Sequence, residues 1–259
     1  MARSAESGSK ERRTMAAKFC VAPIRRLLVS GLIAGSLLMA PGVFADTPDD
    51  WEGLNRRIFS FNDFFDWLFL KPVAKTYKRV IPGPVRQGVS NVFNNVDTPV
   101  TVVNQFLQGK PREGFSDAGR FLVNTTLGIG GIFDVASRMG LPKHQEDFGQ
   151  TFGVWGAGSG QHVVLPFRGS STVRDAFGLV LDAFTNPLRF ISPAEARYST
   201  YGLYFTDVRV DLLAAETLMG DSWDAYLFQR DAFLQRREYL VLDGNVETED
   251  PFLSDDWEE

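Results

Sequence analysis

The stretch WEGLNRRIFSFNDFFDWLFL, Trp51 to Leu70, decides the fold class of this chain. Leu54, Ile58, Phe61, Phe65 and Leu68 recur at steps of four, three, four and three, the period of one helix face. Phe59, Phe64 and Phe69 widen that face, Trp67 lies beside them, and Lys71, Lys75 and Lys78 follow. An aromatic helix with lysines beyond its edge has the makeup of an interfacial helix, whose apolar body sits at the lipid boundary. Phe61, Phe64, Phe65, Trp67 and Phe69 are the candidate membrane-facing residues. Burial beneath other helices is the competing reading of the same stripe.

Helical spacing returns along most of the chain. After Pro82-Gly83-Pro84, apolar residues from Val85 to Phe106 keep the period up to Gly109, with Pro99 expected to kink or split the helix. Asn91, Asn94, Asn95 and Asn104 fall largely off this valine stripe. Water-facing helices favour Glu and Lys, the better helix formers, so an uncharged amide stripe suits the wall of a wet cavity. Helical patterns also cover Phe115 to Asn124, the residues from Thr172 to Leu188, Tyr204 to Leu213, and Trp223 to about Leu240. Between Gly140 and Ser171 the pattern stops, and an irregular Gly-rich region is expected, with Val163 to Leu165 as a short strand. No repeat is evident. The fold class is therefore mainly α, in a single domain of amphipathic helices.

One further segment stands apart: NTTLGIGGIFDVA, Asn124 to Ala136. It is too short to span a bilayer, which takes about 20 apolar residues. Gly128, Gly130 and Gly131 would each cost up to ~1 kcal/mol in a helix interior. The segment suits a bent apolar element held against something greasy, or a Gly-rich turn between two core helices. As a mobile gate it would hinge at Gly128, Gly130 and Gly131, with Asn124, Ile129 and Phe133 as further candidate gate residues.

The N-terminus reads as a leader. Five cations from Arg12 to Arg26 precede the apolar run Leu27 to Ala40, and Val43-Phe44-Ala45 offers small residues at a cleavage site. Met15 is an alternative start, and an uncleaved anchor is the competing reading of the run. The expected organisation is a signal peptide over residues 1–45, a helical domain over 46–244 and an acidic tail over 245–259. The leader holds seven basic and two acidic residues, which leaves 20 basic and 30 acidic and a net charge of about −10. That balance argues against nucleic acid as a partner. Cys20 lies in the leader, so the mature chain has no thiol and no cysteine metal site.

No catalytic pattern emerges. His144 and His162 stand outside any H-E-x-x-H spacing, and Ser159 lacks the flanking glycines of G-x-S-x-G. The run Gly156 to Gly160 lacks the Lys-Ser/Thr of a phosphate-binding loop. Neither a cofactor nor an enzymatic activity is expected, and no metal site.

Four blocks carry a resemblance. They are WEGLNRRIFSFN from Trp51, the stretch from Val96 through NQFLQG to Gly109, RFLVNTTLGIGGIFDVAS from Arg120, and EDFGQTFGVWGAGSGQHVVLPFRGSSTVRD from Glu146. Their order and spacing resemble the MlaA (VacJ) family of outer-membrane phospholipid-transport proteins over about Asp49 to Gln235. The resemblance implies a ring of amphipathic helices embedded in the periplasmic leaflet of the outer membrane, enclosing an amphipathic channel. It implies a trimeric porin and a soluble periplasmic lipid carrier as partners. It also implies that mislocalised phospholipids are withdrawn from the outer leaflet. On it, Asn91, Asn94 and Asn95 become candidates for the channel wall and Leu127 to Val135 for the flexible loop beside it. The alternative is a soluble periplasmic lipid-binding or scaffold protein of the same fold. One departure stands out. Family members commonly carry an acylated cysteine directly after the apolar run, where this chain reads LLMAPGVFAD, so membrane hold is expected from its aromatic surface and partners.

Overall fold

The computed structural model describes residues 51–219 and 224–245, all within one compact unit. The leader, the cleavage site after Ala45 and the acidic tail beyond Asn245 lie outside the described residues. Helix α1 (Glu52–Phe65) runs through a π-helical turn (Asp66–Leu70) into α2 (Lys71–Val80). The wide turn has a local cause: Pro72 has no N–H to give the Leu68 carbonyl, and its ring would crowd that carbonyl in a regular α-turn. The Phe-rich helix thus continues ten residues past Leu70, where the apolar spacing alone would end it.

Helix α3 (Gly83–Leu107) is continuous through Pro99, neither split nor ended there. Thr98 Oγ1 donates to the Asn94 carbonyl at 2.9 Å, and α4 (Pro111–Thr126) packs along α3 as its main partner. Tertiary packing thus carries the helix past its breaker. The α3–α4 corner closes with Gly109 at φ +76° and bonds from Gly109 N to the Phe106 carbonyl and Lys110 N to the Gln105 carbonyl. This is a Schellman end, which needs a residue tolerant of the left-handed region.

After the turn at 127–134 come the short α5 (Val135–Arg138) and α6 (Phe148–Val154), the latter inside the region expected to be irregular. Its start is fixed by Asp147, whose Oδ1 accepts from Gln150 N at 2.8 Å. Strands β1 (His162–Leu165) and β2 (Gly169–Thr172) form an antiparallel hairpin, His162 opposite Thr172 and Leu165 opposite Gly169. Helix α1 covers the free edge of β1 with side-chain amides. Asn55 Nδ2 donates to the His162 carbonyl and its Oδ1 accepts from Val164 N, both at 2.9 Å. Asn62, two turns on, repeats the pairing with the Leu165 carbonyl and Phe167 N. An edge so paired is closed to other strands.

Helices α7 (Val173–Thr185), α8 (Ala194–Met219) and α9 (Ala225–Val241) complete the described chain, with a 3₁₀ turn (Pro187–Phe190) between the first two. Ion pairs staple the helices. Arg56 on α1 binds the Asp224 cap of α9 in a fork, Arg209 on α8 holds Asp66 at 2.6 Å, and Lys71 meets Glu216 at 3.1 Å. No helix among the described residues is long and apolar enough to cross a membrane.

The polarity of the unit is inverted relative to a water-soluble domain. Among the described residues nine apolar side chains are buried against fifteen polar or charged ones. Thirty-six large apolar residues are exposed, Trp67 at 65% and Phe115 at 71% among them. Isolated exposed apolars are ordinary, but so many of them on one unit with so few apolar residues inside point to a surface that meets lipid or protein. Of the candidate membrane-facing residues, Phe61, Phe64, Trp67 and Phe69 are exposed. Phe65 is half-buried, its ring 4.9 Å from that of Phe167 at the hairpin tip.

Candidate functional site: a polar interior between helices

The amide stripe of α3 faces inward. Asn91, Asn94 and Asn95, with Asn124 from α4, line one cavity of about 70 Å³. All thirteen of its lining residues are polar or charged, so it offers hydrogen bonds and ionic contacts rather than apolar ones. Arg120 on α4 organises its far wall. Its side chain is 5% exposed, and it donates to Asp134 at 3.2 Å, to Ser137 Oγ at 3.1 Å and to the Leu141 carbonyl. Asp117, one turn earlier, lies 3.7 Å from Arg120 and also accepts from Gln105 Nε2 and pairs with His144 Nδ1, both at 2.7 Å. Hydrogen bonds from Ser137 and Asn124, with the Arg120 charge, hold Asp134 down at about 2 against the opposing effect of burial.

The glycine-punctuated segment forms a tight turn that walls this cavity through Asn124 and Asp134. Gly131 N bonds the Asn124 carbonyl at 2.8 Å, and Phe133 N bonds the Gly128 carbonyl at 3.0 Å. Asn124 Oδ1 accepts from Ala136 N at 2.9 Å and its Nδ2 donates to Asp134. Gly131 has φ +93°, and a Cβ there would stand 2.6 Å from the Cβ of Asn95. Gly128 is equally tight, against the Asn124 and Phe133 carbonyls, whereas Gly130 faces open space. Leu127, Ile129, Ile132 and Phe133 point outward and are exposed. The turn thus joins an apolar outer rim to a polar inner wall.

Two larger cavities adjoin. One of about 810 Å³ lies between Lys110, Glu113 and the end of α9, and one of about 450 Å³ lies among α3, α6, α7, α8 and α9. All three share Gln145, and the loop Lys143 to Glu146 runs through their meeting point. Sequence reasoning missed this loop, since nothing in LPKHQED separates a cavity junction from a surface connection. The 450 Å³ cavity mixes Leu179, Leu188, Phe205 and Phe233 with Asp182, Arg168 and Arg236, and so offers both apolar and charged contacts. Its floor is a buried pairing of Arg237 with Asp147 at 2.6 Å and Asp175 at 2.9 Å.

Asp182 gives this cavity a pH dependence. Burial, with the Asp147 charge as second cause, pushes its carboxyl up to about 7. Between its ordinary 3.8 and that value the folded chain holds a proton that the unfolded chain has released, so stability falls as pH rises through the window. Asp182→Asn keeps an acceptor for Phe148 N, now bonded at 3.2 Å. It is expected to raise the thermal midpoint at about pH 8 and leave it unchanged at about pH 4.

Fold and site together define a mainly helical class, polar within and apolar without. The sequence profile of the MlaA lipoprotein family matches residues 47–240, and the chain belongs to that family. It is 34% identical over 237 residues to the intermembrane phospholipid transport system lipoprotein MlaA of Escherichia coli K12, covering 87% of this chain and 93% of that one. The protein of the same name from Haemophilus influenzae is 32% identical over 212 residues, covering 80% and 85%. An uncharacterised protein of Rickettsia felis is 36% identical over 195 residues, covering 74% and 78%. A chain solved in work on the structural basis for maintenance of bacterial outer membrane lipid asymmetry superposes with a TM-score of 0.68 at 34% identity. It is matched over its whole length and 75% of this chain.

Proposed function

We propose that this protein carries phospholipid across the lipid–water boundary of the outer membrane and helps keep that membrane asymmetric. The observation that carries the proposal is a group of three cavities that share Gln145 as a lining residue, in a unit whose exterior is largely apolar. A phospholipid needs hydrogen bonds for its head group and apolar contact for its tails. The asparagine wall supplies the first, and the mixed cavity among α6 to α9 supplies both. In this reading the helices form a ring in the periplasmic leaflet around an amphipathic channel. Mislocalised phospholipid enters from the outer leaflet beside a trimeric porin and leaves to a periplasmic carrier. The relatives named for intermembrane phospholipid transport support the same class of cargo.

The turn from Asn124 to Ala136 is the proposed gate. Gly128 and Gly131 are packed against neighbouring groups, so the gate moves as a body about its ends rather than hinging at those two glycines. The breadth of exposed apolar surface weighs against the soluble scaffold alternative.

Two measurements test the proposal. In a variant keeping Trp67 as its only tryptophan, brominated phospholipid in the host bilayer is expected to quench the emission. Asn94→Leu places an apolar group on the wall without touching the Asn95 contact to the turn. An unpaired head group there costs roughly 1–2 kcal/mol, so removal of outer-leaflet phospholipid is expected to slow about ten-fold. Unquenched Trp67, or full clearance by the Asn94 variant, sinks the channel reading.

A further inference from the structure

Between Asp66 and Asp97 this acidic chain carries five cations, Lys71, Lys75, Lys78, Arg79 and Arg86, and no acidic residue. Two are engaged: Lys71 pairs with Glu216, and Arg86 Nε donates to the Ile81 carbonyl at 3.2 Å. Lys75, Lys78 and Arg79 on α2 are exposed and enter no ion pair or hydrogen bond among the described residues. One face of α2, through Ala74, is buried where the helix packs on α8. A second face carries a shallow, wide-open apolar groove lined by Pro72, Val73, Thr76, Tyr77, Val80 and Ile81, all from this one helical run. The free cations occupy the third. The groove continues the exposed apolar surface of Trp67, Leu68 and Phe69 one turn earlier on the same helical run.

We infer that α2 is a docking site for anionic phospholipid, with an acyl chain along the groove and the phosphate held by Lys75, Lys78 and Arg79. The inference rests on the reading that the exposed apolar surface faces lipid, and adds a head-group preference to it. The charge pattern favours this occupant. A basic stripe beside an apolar groove lets the lysine and arginine stems lie along the apolar surface while their heads reach the phosphate layer. Elsewhere the surplus of carboxylates would repel an anionic bilayer, so a helix freed of acidic residues is the part suited to approach it.

The full chain, purified in detergent, is diluted into vesicles of phosphatidylcholine alone or mixed with phosphatidylglycerol, and flotation measures partitioning. The wild type is expected to partition more strongly onto the mixed vesicles. Lys75→Gln, Lys78→Gln and Arg79→Gln, alone and combined, are expected to lower that partitioning about five-fold per charge removed. Partitioning onto pure phosphatidylcholine should stay unchanged. Arg112→Gln with Arg138→Gln, exposed cations on α4 and α5, removes charge elsewhere and should have little effect. Equal partitioning onto both vesicles, a preference that survives the triple variant, or an equal loss in the control pair overturns the inference while leaving the lipid-facing reading intact. Failure to float with either vesicle overturns both.

Discussion

Arg120→Met is expected to destabilise the protein by about 3–5 kcal/mol, the cost of removing one partner from a buried ion pair. The side chain is nearly enclosed and links four groups on three segments: Asp117 on its own helix, Asp134, Ser137 and the Leu141 carbonyl. Methionine fills most of the volume, so the loss isolates charge and hydrogen bonding from packing. Asp117, 2% exposed at its side chain, would be left with Gln105, His144 and the more distant charge of Lys143. Asp117→Asn in the same chain should recover part of the loss, giving a double-variant cost below the sum of the singles. Denaturant unfolding in detergent measures both. A loss under about 1 kcal/mol would mean that water already reaches this cluster freely.

Gly178→Ala is the second large effect, at about 3 kcal/mol, the upper range for overpacking. A Cβ at this position on α7 would stand 2.3 Å from Gly149 N, 2.7 Å from Gly149 Cα and 2.9 Å from the Phe148 carbonyl carbon. All three atoms are backbone of α6, so relief requires the two helices to part. Parting them would strain the Asp147–Arg237–Asp175 pairing and shift the wall of the mixed cavity. Gly149→Ala is a useful contrast, because its Cβ meets Asp175 Oδ1 at 2.5 Å and an Arg237 nitrogen at 2.7 Å, and side chains can turn aside. The expected order of thermal midpoints is wild type, then Gly149→Ala, then Gly178→Ala, with phospholipid clearance falling in the same order. A Gly178 variant as stable as wild type would show that α6 rides loosely on α7.

Much of this architecture was legible in residue spacing. The stripe from Leu54 to Leu68 is a helix, and the amides Asn91, Asn94 and Asn95 share one cavity, because a 3.6-residue period places side chains on faces whatever their chemistry. What stayed hidden depends on distant partners. Asn55 and Asn62 look like polar interruptions of an aromatic helix until a strand 103 to 109 residues away lies beside them. Helix α6 is glycine-rich for its crossing with α7, and local propensity reads those glycines as breakers. Pro99 misleads in the other direction, since α3 stays helical through it where a split was one expectation. Arg120 sits in RFLVNTT without any sign that its charge is enclosed. The loop at Gln145 becomes a junction only when α3, α4 and α9 converge on it.

The inverted polarity of this molecule has a consequence for how it reaches its native state. In most domains collapse in water and the finished fold are driven by the same apolar burial. Here the buried contacts are largely hydrogen bonds and ion pairs, which contribute little net while water competes for them. The apolar groups find their natural solvent only outside the chain. On the proposed lipid-facing reading, assembly is a two-stage event in which the bilayer acts as the last folding partner. In water, an aromatic surface this wide favours association with any other apolar surface it meets.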